Sequence, residues 1–308
     1  MPTEIVTQKN PISAFKAMIN APSVQEQFKN ALGNHKDAFI ASLIDLFTSD
    51  ASLQQCDPGA LIKEALRAAV MQLPLNKTLG FAFVVTFNNS VKNPNGTYTK
   101  VKTPTFMLGY KGYIQLAMRT GQYLTINADF VYEGEMRNVD KLTGAIAFDG
   151  EKKSDKIVGY FCHFELINGF KKTMYMSVED MAKYALKYSP SFRGRNKPTL
   201  EALIKKAQSV EESSTVGWLG NFNDMALKTV IRRLLGKYGY LSVEMTEAIS
   251  HESVNESIAQ EGAQEKEIIT LDEEEYKQVD TATGEILDAA PKQIASNEEN
   301  PADAAPQY

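Results

Sequence analysis

The residues best placed to do chemistry in this chain are cations, grouped at short spacings along its middle and second half. Lys92, Lys100 and Lys102 share a stretch that holds no acidic residue from Thr86 to Leu108. Lys111, Gln115 and Arg119 recur at intervals of four, one stripe of a helix. Arg193, Arg195 and Lys197 crowd the segment SPSFRGRNKP at 189–198, which carries no acid, and Lys205 and Lys206 follow. Lys228, Arg232 and Arg233 close the series. Cations grouped in this way neutralise phosphates, so the partner they imply is a polyanion held by salt-sensitive contacts. Tyr110, Tyr184, Tyr188 and Phe192 lie among them and are the candidates for stacking on bases. Packing into a sheet core is the commoner use of such rings.

Catalytic patterns are missing. No GxxxxGK[ST] phosphate loop and no Gx[ST]xG nucleophile turn occurs, and the glycines of LGYKG at 108–112 lack GxGxxG spacing. Cys56 and Cys162 are far apart, without a CxxC or a nearby histidine pair, and read as buried small hydrophobes. His35, His163 and His251 sit in unrelated contexts. Asp129, Glu133, Glu135, Asp149 and Glu151 allow a Mg²⁺-dependent nuclease as one alternative, although their spacing matches no particular site, and a plain single-stranded-DNA-binding protein is the other. The expectation is a binding protein, not an enzyme, with no catalytic residue, metal or cofactor.

The net charge of −5 conceals two opposite parts. Residues 244–308 hold 17 Asp and Glu against 3 Lys, which leaves 30 basic and 21 acidic residues, a net +9, for 1–243. A cationic body suits a nucleic acid or membrane surface, and an acidic tail suits a solvated interaction segment. Beyond Val243 there is no Phe or Trp, and Leu, Ile and Val make up 10 of 65 residues. That is too little apolar surface to offset the entropy of folding, so the tail is expected to be disordered. Its few apolar residues gather at 268–287, a segment suited to docking on a partner. With no apolar run of roughly 18 residues and no secretion signal at the start, the expected location is the cytoplasm, without membrane contact.

The elements that must carry these groups are legible in outline. Ser23 is placed to cap a helix ending at Gly33, Lys36–Phe47 is amphipathic, and Asp57 with Pro58 opens a helix that Pro74 stops. Phe81–Phe87 and Tyr98–Leu108 flank the turn NPNG and form a β-hairpin. Tyr110–Thr120 is a helix with Ile114, Ala117 and Met118 facing inward and Gly121 ending it. Strands are expected near 123–133, 145–148, 157–166 and 172–176. Helices follow from Ser177, from Thr199, and over Trp218–Tyr238. The fold class is α+β: a helical N-terminal part (1–75), an antiparallel hairpin and sheet packed on long helices (76–243), and the disordered acidic tail (244–308).

Three stretches, QLPLNKTLGFAFVVTF (72–87), FMLGYKGYIQLAMRTG (106–121) and WLGNFNDMALKTVIRRLLGKYG (218–239), together resemble the RecT family of phage and prophage single-strand annealing proteins. The likeness covers roughly 11–240. It implies a recombinase of the annealing-protein superfamily type. Such a protein coats single-stranded DNA, pairs it with its complement without ATP, and assembles as a homo-oligomeric ring or helical filament on single strands and on the duplex annealing intermediate. It also implies a RecE-type exonuclease partner, with a host single-strand-binding protein as a further candidate, and Mg²⁺ as no more than a modulator of DNA binding. The DNA groove would fall on Lys111, Gln115, Arg119, Arg193, Arg195, Lys228, Arg232 and Arg233. The tail matches no fixed pattern of the family.

Overall fold

The computed structural model describes residues 10–92, 95–192, 197–209 and 217–250. Local chemistry sets most helix boundaries. In α1 (Pro11–Ile19) the Asn10 carboxamide oxygen accepts the Ile12 N–H at 3.1 Å. Helix α2 (Pro22–Leu32) ends on Gly33 at φ +55°. Ser23 does not cap it, because Pro22 is already its first residue and Ala21 takes the cap position without a side-chain bond. Helix α3 (Lys36–Ser49) buries Ile40, Leu43 and Phe47, and α4 (Pro58–Val70) is capped by Asp57, which accepts the Ala60 N–H at 2.7 Å. Pro74 was expected to stop α4. The helix ends earlier, in a turn where Gln72 takes φ +51° and the Leu73 N–H reaches back to the Ala68 carbonyl at 2.9 Å.

Strands β1 (Ala82–Lys92) and β2 (Tyr98–Leu108) pair antiparallel over eleven residues each, from Ala82 opposite Leu108 to Lys92 opposite Tyr98. Ala82, Val84, Phe106 and Leu108 are buried at the base of this ribbon, whereas Tyr98 and Val101 are exposed further out. Helix α4 packs on the base. There Glu64 accepts the Phe106 N–H at 2.8 Å, satisfying a donor on the strand edge, and Pro104 two residues earlier has no N–H to satisfy.

Helix α5 (Tyr110–Arg119) starts directly after the ribbon. A Cβ on Gly109 would lie 2.0 Å from the Gly80 carbonyl oxygen, and one on Gly112 would lie 2.2 Å from that of Phe81. The glycines of LGYKG therefore let two backbones touch. Tyr113, Leu116 and Ala117 are buried, but Met118, expected inward, is 61% exposed, because the buried face turns toward 113 and 116.

A second sheet contains β3 (Tyr123–Tyr132), β6 (Ile157–Leu166) and β7 (Lys171–Ser177) in the order β3-β6-β7, all antiparallel. Between β3 and β6, the strand expected at 145–148 shrinks to β5 (Ile146–Ala147), paired with an unanticipated β4 (Asn138–Val139). Helix α6 (Val178–Tyr188) is capped by Ser177, whose hydroxyl accepts the Asp180 N–H at 3.1 Å and donates to the Asp180 carboxylate at 2.7 Å. Helix α7 (Leu200–Ala207) is capped by Thr199.

Helix α8 (Phe222–Tyr238) crosses the inner face of the three-stranded sheet and packs on α5 from another side. It begins four residues later than expected, because Gly217 at φ +106° opens a turn that Asn221 closes by donating to the Gly217 carbonyl at 2.8 Å. One continuous hydrophobic core runs from Phe15 to Ala248. The mixed helix and antiparallel sheet class is thus as read from the sequence. The chain is still ordered where the tail, read as mostly disordered, begins at 244: residues 243–250 are helical, with Met245 and Ala248 fully buried. Among the described residues no helix is long and apolar enough to cross a membrane.

Candidate nucleic-acid interface

Helix α8 brings the cations into relation with the aromatics. Lys228 and Arg232, read as cations on one face of this helix, are both only 8% exposed. Their spacing did not indicate that cover. With the sheet against one side of α8 and α5 against another, little of its circumference reaches solvent, and both long side chains run under neighbouring elements. Lys228 lines a small open cleft together with Gly80, Phe83, Tyr110, Asn221 and Asp224. The Tyr110 hydroxyl, half-buried there, has its pKa raised chiefly by burial, with the Asp224 and Asp129 carboxylates adding to the effect. Lys111 stands exposed at the same end of α5, its ammonium 5.8 Å from the Tyr110 ring.

One turn further along α8, Arg232 donates through Nη2 to the Tyr184 hydroxyl at 2.9 Å. The exposed Arg233 lays its guanidinium over the Tyr184 ring at 5.3 Å. Tyr184 packs in turn on Tyr188, with ring centroids 4.5 Å apart, and the Lys187 ammonium lies 5.1 Å from the Tyr188 ring. Cations and rings therefore form one ladder, Arg233, Tyr184, Tyr188 and Lys187, between α8 and α6.

Other expected contacts are dispersed. Arg119 donates through its two terminal nitrogens to the carbonyls of Met71 at 2.8 Å and Gln72 at 3.1 Å, so its guanidinium staples α5 to the end of α4. Gln115 between it and Lys111 is half-buried. Phe192, a candidate for stacking on bases, is 4% exposed within the core, and this corrects that reading. Lys205 and Lys206 are exposed on α7. Lys100 is exposed on β2 and Lys102 half-buried, while the Lys92 side chain lies outside the description. Arg193 and Arg195 lie outside the described residues.

Several positions of consequence carried no sequence signal. Gln208 pairs with the backbone of Ile157 in both directions, its carboxamide oxygen accepting the N–H at 2.9 Å and its amide nitrogen donating to the carbonyl at 2.8 Å. This fixes the end of α7 that bears Lys205 and Lys206. Lys187 could have been found from its place beside Tyr188, whereas Glu64 and Gln208 act across 42 and 51 residues.

Three carboxylates of the nuclease alternative are held in separate hydrogen bonds. Asp129 accepts the Phe130 N–H, Glu135 accepts the Tyr132 N–H, and Glu133 accepts the Ser154 hydroxyl, at 2.8 Å each. Among the described residues no three His, Cys, Asp or Glu side chains converge as a metal site. Both cysteines are buried, and burial pushes the Cys162 thiol up to about 12.

A family model described as the RecT family matches residues 37–277. The chain is 37% identical over 241 residues to the uncharacterized protein YqaK of Bacillus subtilis (strain 168), covering 78% of this chain and 72% of the relative. It is 26% identical over 267 residues to Protein RecT of Escherichia coli (strain K12), covering 83% and 82%. With the family match running from the first turn of α3 past the end of α8, the protein belongs to the RecT family.

Proposed function

We propose that this protein binds single-stranded DNA through exposed cations at both ends of α8 and pairs it with a complementary strand, with no nucleotide hydrolysis. The RecT family supports a role in DNA recombination by strand annealing. The observation that carries the reading to particular residues is the ladder on α6 and α8, in which the exposed Arg233 lies over the Tyr184 ring, itself packed at a tilt on Tyr188. A stacked guanidinium keeps its N–H edge available for phosphate oxygens. Contacts to the backbone rather than to base edges leave those edges free to pair, which annealing requires. The energy source is the duplex itself.

In this reading the working form is a homo-oligomeric ring or helical filament that holds one strand extended while a second samples register, in the cytoplasm of a phage-bearing bacterial host. Lys100, Lys102, Lys205 and Lys206 extend the phosphate contacts, and Lys92, Arg193 and Arg195 are further candidates. The acidic residues beyond 250 take a protein partner, a RecE-type exonuclease or a host single-strand-binding protein. No cofactor is required, and Mg²⁺ modulates DNA binding.

The test is fluorescence-monitored pairing of complementary strands without ATP, alongside single-strand affinity across a salt series. Replacing Lys111 and Arg233 together with alanine should slow pairing and flatten the slope of log affinity against log salt by about 0.7 per lost phosphate contact. Arg233 is chosen over the buried Arg232 because truncating a buried arginine would also disturb packing. An unchanged slope and pairing rate would remove the interface. Shortening of a labelled strand in the presence of Mg²⁺ would point to the nuclease instead.

A further inference from the structure

We infer that Tyr184 is a positioning residue for Arg233 and does not itself stack on DNA bases. This deepens the proposed function and rests on it. Arg232 and Arg233 are consecutive on α8, so they leave the helix about 100° apart. Both nevertheless reach the same tyrosine, which must lie over the ridge between them. Their roles differ. Arg232 is 8% exposed and donates to the Tyr184 hydroxyl at 2.9 Å, anchoring α6 to α8 from beneath. Arg233 is exposed, and its guanidinium lies over the ring so anchored, 5.3 Å from the centroid.

The Tyr184 ring is already occupied by Tyr188 at 4.5 Å and by Arg233, and its hydroxyl by Arg232. A nucleobase would have to displace one of these groups. What the arrangement does offer a strand is the N–H groups of Arg233, whose position is restrained by the ring beneath it. That restraint removes rotamer freedom that a free arginine would lose on binding a phosphate, and so strengthens the contact without adding charge.

The experiment measures affinity and salt slope of the full chain on a mixed-sequence single strand and on a strand made wholly of abasic nucleotides. Thermal melting of each variant is recorded in parallel. Arg233→Ala should lose about 0.7 of slope, one phosphate contact, whereas Tyr184→Leu keeps the charge and should lose about two- to fivefold in affinity with the slope retained, on both strands. The double variant should bind no more weakly than Arg233→Ala alone. Tyr184→Phe keeps the ring and should stay nearer the wild type than Tyr184→Leu.

If Tyr184→Leu fails to fold, Arg233→Lys gives the answer at an exposed site. It keeps the charge and loses the planar stack, so affinity should fall about two- to fivefold with the slope retained. Disappearance of the Tyr184→Leu loss on the abasic strand would overturn the inference in favour of base stacking. So would additive losses in the double variant, or wild-type affinity in Arg233→Lys. A wild-type protein with no affinity for either strand would instead overturn the DNA-binding reading itself, a distinguishable result.

Discussion

The molecule contains two β systems built on opposite terms. The sheet β3-β6-β7 buries Tyr160, Cys162 and Phe164 against α8, so its inner face is part of the core. The ribbon β1-β2 is as long as any strand pair here, yet it buries only its base and carries Lys100, Tyr98 and Val101 outward. A lone two-stranded ribbon has little stability of its own, so what holds it must come from its root. The sheet thus fixes α8 and the groups on it, whereas the outer ribbon presents its side chains to solvent. In the proposed function, folding rests on the sheet and the ribbon adds phosphate contacts.

The sharpest way to break this division is to damage the sheet. Phe164→Ala deletes a fully buried ring that packs on Tyr123 at 5.5 Å. It should cost about 3–5 kcal/mol, seen as a lower denaturant midpoint and a fall in every functional readout together. A loss below about 1 kcal/mol would mean that the sheet is less central than its burial indicates.

At the root of the ribbon, Glu64→Ala leaves the Phe106 N–H without its acceptor. The expected cost is about 1–3 kcal/mol, together with faster amide exchange confined to β1 and β2. Exchange rising equally in β6 would dissolve the distinction between the two systems. The smallest stability effect belongs to the outer ribbon. Lys100→Ala with Lys102→Ala should shift stability by no more than about 0.5 kcal/mol while reducing the salt slope of single-strand binding. A stability loss with an intact slope would assign these lysines to strand protection alone.

Much of the architecture was legible beforehand because its causes are local. Asp57 before Pro58, Ser177 before Asp180, and the apolar period of Lys36–Phe47 each act within one or two turns, and each produced the element expected of it. The hairpin was legible from the aromatic, β-branched run Phe81–Phe87 and the turn signal after it, although β1 runs on to Lys92 and only the structure gives the register. The misses also have local causes. Pro22 pre-empted the Ser23 cap, and the αL turn at Gln72 ended α4 before Pro74 could. The candidate site was legible as composition, in cations and tyrosines of the right kinds, but not as an arrangement.

By itself the sequence determined the α+β class, the split between a cationic body and an acidic tail, and the three motifs that carry the family resemblance, since all of these depend on residue type and short spacing. Only the tertiary structure decided which cations are exposed. Lys228 and Arg232 share the helical spacing of a surface stripe, yet they are covered, whereas Arg233 beside them is open. Arg119 has the spacing of a ligand-binding residue and is taken up by two carbonyls nearly fifty residues away. Neighbouring elements explain both outcomes. Periodicity orders side chains around one helix, but which of them are covered, and which, like the exposed Arg119, are engaged, depends on the elements that fold against each side of it, and those arrive from distant parts of the chain.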